Sequence, residues 1–443
     1  MYRKLFAIVL ILAFALAAVP AAPANAAPDL PPNCVIVPVG ASVPQPYYLI
    51  CQPTVAWNGD AVIYAHGYVP PVPDLTAAWS QLVAPDGTSI PGLVNQLGFL
   101  FVAPTYSKNG LAVKEGLADT LALAQLLKLG GALPLPVGGP LVVPPSNHVF
   151  LVGASEGGLI STLAMEVPNT PFTSAVAACG PIGDFRKQID YFGDFRVLFD
   201  YFFKDVLPPG PVNVPAEFTQ AWLAGANGIF YPPATMTPQN AILAALQANP
   251  AGASQLIATA KAPIDPKNPL TIGATALSVL NYNAVATMEA QLELQIQPYT
   301  NTRAFYFGSS NDRLLNRTVE RVPLGGSEAA LTAALAPYQT TGRLQAPLVT
   351  IHTIYDPEDP YWHEPMYLAK VWKQNKLKLL TSIPIGRYGH CNFTGTELLF
   401  SFALAYAKGT HQVLPLSGIS SALPAADVQK FQNLASQYGE AAR

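Results

Sequence analysis

Charge is scarce in this sequence. Only 12% of its 443 residues are Asp, Glu, Lys or Arg, about half the share of an ordinary soluble domain. Neither sign dominates: 24 Lys plus Arg against 27 Asp plus Glu leave a net charge of -3. That excludes a strongly basic protein that holds nucleic acid through its phosphates. Cysteine is also rare, with four in the chain. No CxxC pair or His/Cys cluster has zinc spacing, so neither a metal nor a cofactor is expected. No fixed-period repeat occurs, which sets solenoids aside. Beyond the N-terminus no stretch is apolar for long enough to span a bilayer without Pro, Gly or charge. Aromatic residues, by contrast, reach 10%, too many for a disordered chain.

Proline is abundant, with 44 residues, which argues against an all-helical bundle. The length suits two or three domains of about 150 residues, or one large α/β domain with an insertion. The N-terminus reads as an export signal. Arg3 and Lys4 precede an apolar run of 15 residues from Leu5 to Val19, and Ala24-Asn25-Ala26-Ala27 offers small residues where a signal peptidase reads. Residues 1–26 are therefore expected to be a signal peptide, leaving a secreted or periplasmic protein with no stable membrane anchor. A spanning helix would need roughly 20 apolar residues.

An even number of cysteines in an exported chain suggests disulfides, and four allow three pairings. Cys34 and Cys51 flank two strand-like runs joined by a turn-rich segment, so a hairpin staple is the natural pairing. That leaves Cys179 with Cys391; two free buried cysteines are the alternative.

Strand and helix patterns then alternate. Strands are expected over 61–65, 99–103, 149–152, 174–178, 348–351 and 379–383, and helices over 111–129, 158–167, 396–407 and from residue 425. Residues 133–145 read as a Pro/Gly loop. Such alternation indicates a mostly parallel sheet covered by helices on both faces. Residues 184–343 break the rhythm with helical segments and an aromatic cluster, including Phe192, Phe195 and Phe199. They read as a largely helical cap inserted between two halves of one core, 27–183 and 344–443. The cluster can wall an active site or be the cap's own core, and aromatics at helical spacing usually just pack.

The segment Gly153-Ala154-Ser155-Glu156-Gly157 is a G-x-S-x-G run between an expected strand and an expected helix. A turn that tight requires glycines, and it lifts a serine hydroxyl above the sheet at a helix N-terminus, where the dipole favours a developing anion. A nucleophilic serine needs a base, and the base an orienting acid. His390 follows the last expected strand, and Asp356 follows the one before it. Asp359 and Asp312 are rival acids. Among the other histidines, His66 is placed to shape a loop near the site, His148 sits at a strand start, His352 has no assigned role, His363 could line the cleft and His411 is peripheral.

These residues resemble the α/β-hydrolase superfamily. The resemblance rests on the strand ending in His66-Gly67, the elbow at Ser155, the H-x-x-x-D-x-x-x-P run through Asp356, and Gly389-His390. It spans residues 55–410 and implies Ser155 as nucleophile, His390 as general acid/base and Asp356 as its partner. It also implies an oxyanion hole from the backbone N–H groups of Glu156 and Tyr68. There is no His-Gly-Gly-Gly run, so the chain departs from the lipases that carry one. Tannase-like and feruloyl-esterase-like enzymes join cysteines beside the serine and the histidine. Here Cys391 follows the histidine but Ala154 precedes the serine, so that pattern is half matched.

The implied activity is a secreted carboxylic-ester hydrolase, carboxylesterase- or lipase-like, whose substrate is a lipid ester, an aromatic ester or a polyester, with small or medium esters favoured by the cap and Tyr68, Phe192, Phe195 and Phe199 as substrate-binding side chains. The alternatives are a serine peptidase, prolyl-oligopeptidase-like or an aminopeptidase with Asp190, Asp194, Asp200 and Asp205 as amine anchors, and a non-catalytic binding protein of the same fold.

Overall fold

The structure is a computed structural model that describes residues 30–40, 45–133, 135, 139–225 and 236–438. The expected signal segment, 1–26, lies outside the described residues. The strands are β1 (Cys34–Pro38), β2 (Tyr47–Cys51), β3 (Ala61–Ala65), β4 (Leu100–Pro104), β5 (Gly131–Leu133), β6 (Leu141–Val143), β7 (Val149–Ala154), β8 (Ser174–Ala178), β9 (Leu348–Tyr355) and β10 (Leu380–Tyr388). Eight of them form one sheet in the order β1-β2-β4-β3-β7-β8-β9-β10. The pairs from β4 to β10 are parallel, while β1–β2 and β2–β4 are antiparallel. This is the mostly parallel α/β architecture the sequence implies. Around the expected loop 133–145, β5 just before it and β6 inside it pair as a short antiparallel ribbon. Its three-residue strands carry too little pattern to read from sequence.

The parallel strands are almost continuously apolar because both faces are covered: every residue of β3, β4 and β8 is buried. One face packs on the helices Val113–Leu129 and Glu156–Glu166. The other packs on Ile90–Gln96, Gly395–Thr410 and Ala425–Gln437. A capping box between Thr394 and Glu397 starts the helix Gly395–Thr410. β10 runs longer than its apolar pattern suggested because it stays paired with β9, through a register shift after Ile385, as far as Tyr388–Tyr355.

Between β8 and β9 the chain is helical. The two longest helices there are Phe185–Phe202 and Thr271–Leu294. They share a separate apolar core that includes Phe195, Phe199, Trp222, Ile242 and Leu280. The sheet order reverses at β3: β4 lies on one side of it and β7 on the other. Open α/β sheets bind ligands beyond the carboxyl ends of the strands at such a point. The loops after β3 and β7 carry Tyr68 and Ser155.

Candidate active site

Ser155 follows β7 with φ 57 and ψ -123. This is a strained conformation for a residue with a side chain, of the kind kept at functional sites. The flanking glycines make it achievable. A Cβ on Gly153 would lie 2.1 Å from the Gly157 carbonyl oxygen, and one on Gly157 would lie 2.0 Å from that of Ala65.

The register of β9 and β10 brings the next two groups together. Tyr355 and Tyr388 are paired, and Gly389 N–H donates to the Tyr355 carbonyl at 3.2 Å. Asp356 and His390 therefore emerge side by side. His390 Nδ1 lies 2.9 Å from Asp356 Oδ2 and 3.1 Å from Oδ1, and its Nε2 lies 2.9 Å from Ser155 Oγ. Asp356 is fully buried and its Oδ1 accepts from the amides of Glu358 and Asp359. His352, which had no role in the sequence, donates to the Asp359 carbonyl at 2.6 Å and closes the acid turn from below.

The disulfide Cys179–Cys391 joins the end of β8 to the residue after His390, and Cys34–Cys51 staples β1 to β2. Cys179 and Cys391 both have positive φ, 47 and 48, so the bridge fixes two unfavourable backbone positions beside the histidine. Among the described residues, Cys179, His390 and Cys391 are a group with metal-ligand spacing. The two sulfurs are joined to each other and carry no thiolate for an ion.

Glu156 N–H opens the helix Glu156–Glu166. The Gly67–Tyr68 peptide lies against the serine, since a Cβ on Gly67 would be 3.0 Å from Ser155 Cβ. Gln81 holds this peptide. It accepts from Gly67 N–H at 2.7 Å and donates to the Tyr68 carbonyl at 3.0 Å. His66 is buried, stacks on Tyr106 with centroids 3.8 Å apart, and its pKa falls to about 4 because burial disfavours its charged form. It acts as a neutral packing group beneath the loop. The Glu156 carboxyl is buried and accepts from Ala112 N–H at 2.8 Å. Burial raises its pKa to about 8.

Sequence reasoning missed Glu358. Its Oε2 lies 3.7 Å from His390 Nε2. Ser278 and Tyr282, from the helix Thr271–Leu294, donate to its carboxylate, Tyr282 at 2.8 Å. Burial opposes a charge on His390, but Asp356, Glu358 and Asp359 outweigh it and push its pKa up to about 10. Burial also raises Asp359, to about 7. Tyr282, Gln81 and Glu289 were missed as well. They sit far from the motifs in sequence, and only the adjacent Pro357-Glu358-Asp359 run was a signal.

Two cavities meet at Ser155. One, of about 390 Å³, is lined by His390, Cys391 and a predominantly apolar wall on the side of the sheet that faces Ile90–Gln96 and Gly395–Thr410. The second, of about 110 Å³, lies under the helical layer and includes Tyr68, Glu156, Phe192, Tyr282 and Asp359. Phe192 stacks flat on Tyr282 with centroids 4.7 Å apart. Phe195 and Phe199 correct the sequence reading. They are fully buried in the helical layer's own core and line neither cavity. His363 is likewise no cleft residue. It is buried, accepting from Gly183 N–H and pairing with Gln188.

Among the rival acids, Asp359 lines the second cavity while His390 Nδ1 pairs with Asp356, and Asp312 caps the turn at Ser309. The four aspartates offered as amine anchors line neither cavity. Asp194 accepts from Tyr299 and Tyr306, Asp200 pairs with Arg196, Asp190 lies 3.9 Å from Arg186, and Asp205 is exposed.

No family model and no curated protein matches this chain. Solved structures with a similar path exist. Feruloyl esterase B from Aspergillus oryzae is 14% identical, with 86% of this chain and 82% of that chain covered and a TM-score of 0.46. Candida antarctica lipase A in its closed state is 15% identical, with coverage of 89% and 82% and a TM-score of 0.39. A Pyrococcus horikoshii acylaminoacyl peptidase is 9% identical, with coverage of 92% and 41% and a TM-score of 0.37. This chain thus spans about two fifths of the length of that peptidase. The likeness is one of fold.

Proposed function

We propose that this protein is a serine hydrolase that cleaves carboxylic esters through an acyl-enzyme. The observation that carries the proposal is the continuous hydrogen-bonded line from Ser155 Oγ through His390 to the buried Asp356. Ser155 Oγ attacks the ester carbonyl carbon while His390 Nε2 takes its proton, and Asp356 stabilises the imidazolium that forms. The carbonyl oxygen becomes an oxyanion facing the amides of Glu156 and Tyr68, each worth roughly 3 kcal/mol in the transition state. His390 then returns the proton to the leaving alcohol as the C–O bond breaks. Water, deprotonated by the same imidazole, releases the acid and restores Ser155. No step calls for a cofactor or metal. The two disulfides and the expected signal segment support an exported protein.

The test is hydrolysis of p-nitrophenyl esters from acetate to palmitate. Wild type is expected to hydrolyse some member, and Ser155→Ala to lose on the order of 10⁴-fold or more in kcat. Equal rates for the two proteins refute the proposal. A peptidase is the second reading, favoured by Glu358 and Asp359 near the reacting serine. Comparing an ester and an amide of one acyl group separates the two, since a peptidase also hydrolyses the amide.

A further inference from the structure

The larger cavity runs from Ser155 and His390 between the sheet and the covering helices and opens to solvent past the exposed Val83 and Pro85. Its floor is the sheet face carrying Tyr64 and Phe101, and its opposite wall comes from Val94, Leu399 and Phe402 on the covering helices. Apolar surface left facing water forgoes the stability that its burial would bring. A chain that keeps about 390 Å³ open from the core to Ser155 and His390 is shaped for an occupant. Both cavities are lined mainly by apolar surface, and they differ in size. The second is the smaller and carries Gln188, Asn283, Thr287 and Gln291 on its wall. The larger one alone has the length for an extended hydrocarbon chain leading away from the serine.

We propose that the cavity between the sheet and the helices Ile90–Gln96 and Gly395–Thr410 binds a linear hydrocarbon chain of the substrate, with the reacting carbonyl held at Ser155. The inference rests on the ester-hydrolase reading and narrows it to esters with one long apolar arm, the other side of the bond lying under the helical layer. Either side of an ester can deliver such a chain, so the experiment carries both. One series is p-nitrophenyl acyl esters of increasing acyl length. The other is acetate esters of 1-alkanols of increasing length. Ala84, nearly buried on the cavity wall, is the residue to enlarge.

In wild type, kcat/KM is expected to rise with chain length in one of the two series, and the series identifies which arm enters. In Ala84→Phe the decyl member of that series is expected to fall at least about tenfold, with acetate or methyl members changed less than about twofold, since pocket methylenes are worth roughly 10-fold or more each. A flat profile in both series, or a plugged variant that retains the wild-type profile, overturns the inference while leaving the hydrolase reading intact. Folding and turnover are separated by a second measurement. Decanol is expected to raise the Tm of Ser155→Ala and not that of the Ser155→Ala, Ala84→Phe pair. No shift in the first overturns the cavity assignment. A shift without ester hydrolysis by wild type overturns the hydrolase reading alone.

Discussion

Ser155, His390 and Glu358 set the chemistry at the residue scale. Serine reaches Nε2 at 2.9 Å and glutamate at 3.7 Å, so the two share one nitrogen of the base. A base works when neutral. The carboxylates Asp356, Glu358 and Asp359 raise His390 to about 10, and the hydroxyls of Tyr282 and Ser155 and the Cys179–Cys391 bridge complete its surroundings. His352 lies 3.6 Å from Asp356, and Glu289 stands one step further away behind Tyr68. The base form is then gained only as pH rises, and the acid limb of kcat/KM lies on the alkaline side of an ordinary histidine. Glu358→Gln removes one of the three charges, lowers the histidine pKa and is expected to move that limb to lower pH by about one unit. A pH–rate profile measures it. A loss of kcat with the limb unmoved would leave Glu358 only a structural part.

At the scale of elements, the helix Thr271–Leu294 reaches the loop after β3, the acid turn and the end of β10. Glu289 accepts from Tyr68 OH at 2.8 Å and from Leu111 N–H at 2.6 Å, Tyr282 donates to Glu358, and Thr275 meets Tyr388 OH at 2.9 Å just before the histidine loop. The helix Phe185–Phe202 adds Gln188 and Tyr191, which donate to the carbonyls of Glu358 and Pro357. The helical layer thus sets the positions of the acid and histidine turns as well as roofing them. On the sheet side, the Cys179–Cys391 bridge does the same for His390, closing a loop of 212 residues. Replacing both cysteines by serine is expected to cost about 2–5 kcal/mol, read from denaturant midpoints, and to lower kcat as the histidine turn loosens. Unchanged kcat would mean that the helical layer alone positions the base.

On the scale of the whole molecule, the sheet is buried on both faces and buried titratable groups link stability to pH. The Glu156 carboxyl has a folded pKa of about 8, raised by burial above the ordinary carboxyl range. The unfolded chain therefore gives up this proton first, and the folded state loses stability as pH rises from about 4.5 towards 8. Glu156→Gln cannot ionise. Its Tm relative to wild type is expected to be higher by a few degrees at pH 8 and nearly equal at pH 4, as differential scanning calorimetry would show. A gain that does not grow with pH would place the cause elsewhere. Among the described residues no helix is long and apolar enough to cross a membrane.

The sequence by itself determined the layered α/β order, the elbow at Ser155, the chain order of Ser155, Asp356 and His390, and the hairpin pairing of Cys34 with Cys51, while it left Cys179 and Cys391 joined or free. These are local signals: apolar runs of strand length, glycines that a tight turn demands, and short polar motifs at strand ends. Only the tertiary structure decided which way side chains turn and what lies across the fold from them. Phe192 and Phe195 lie three residues apart on one side of a helix and both pack on the helical core, yet only Phe192 also reaches a cavity, because the neighbouring helices bury Phe195 completely. Gln81, Glu289 and Tyr282 approach the site from positions that share no local pattern with it, and the cavity between sheet and helices is a matter of packing. Contacts between residues distant in sequence are formed by the whole fold, so no window along the chain contains them.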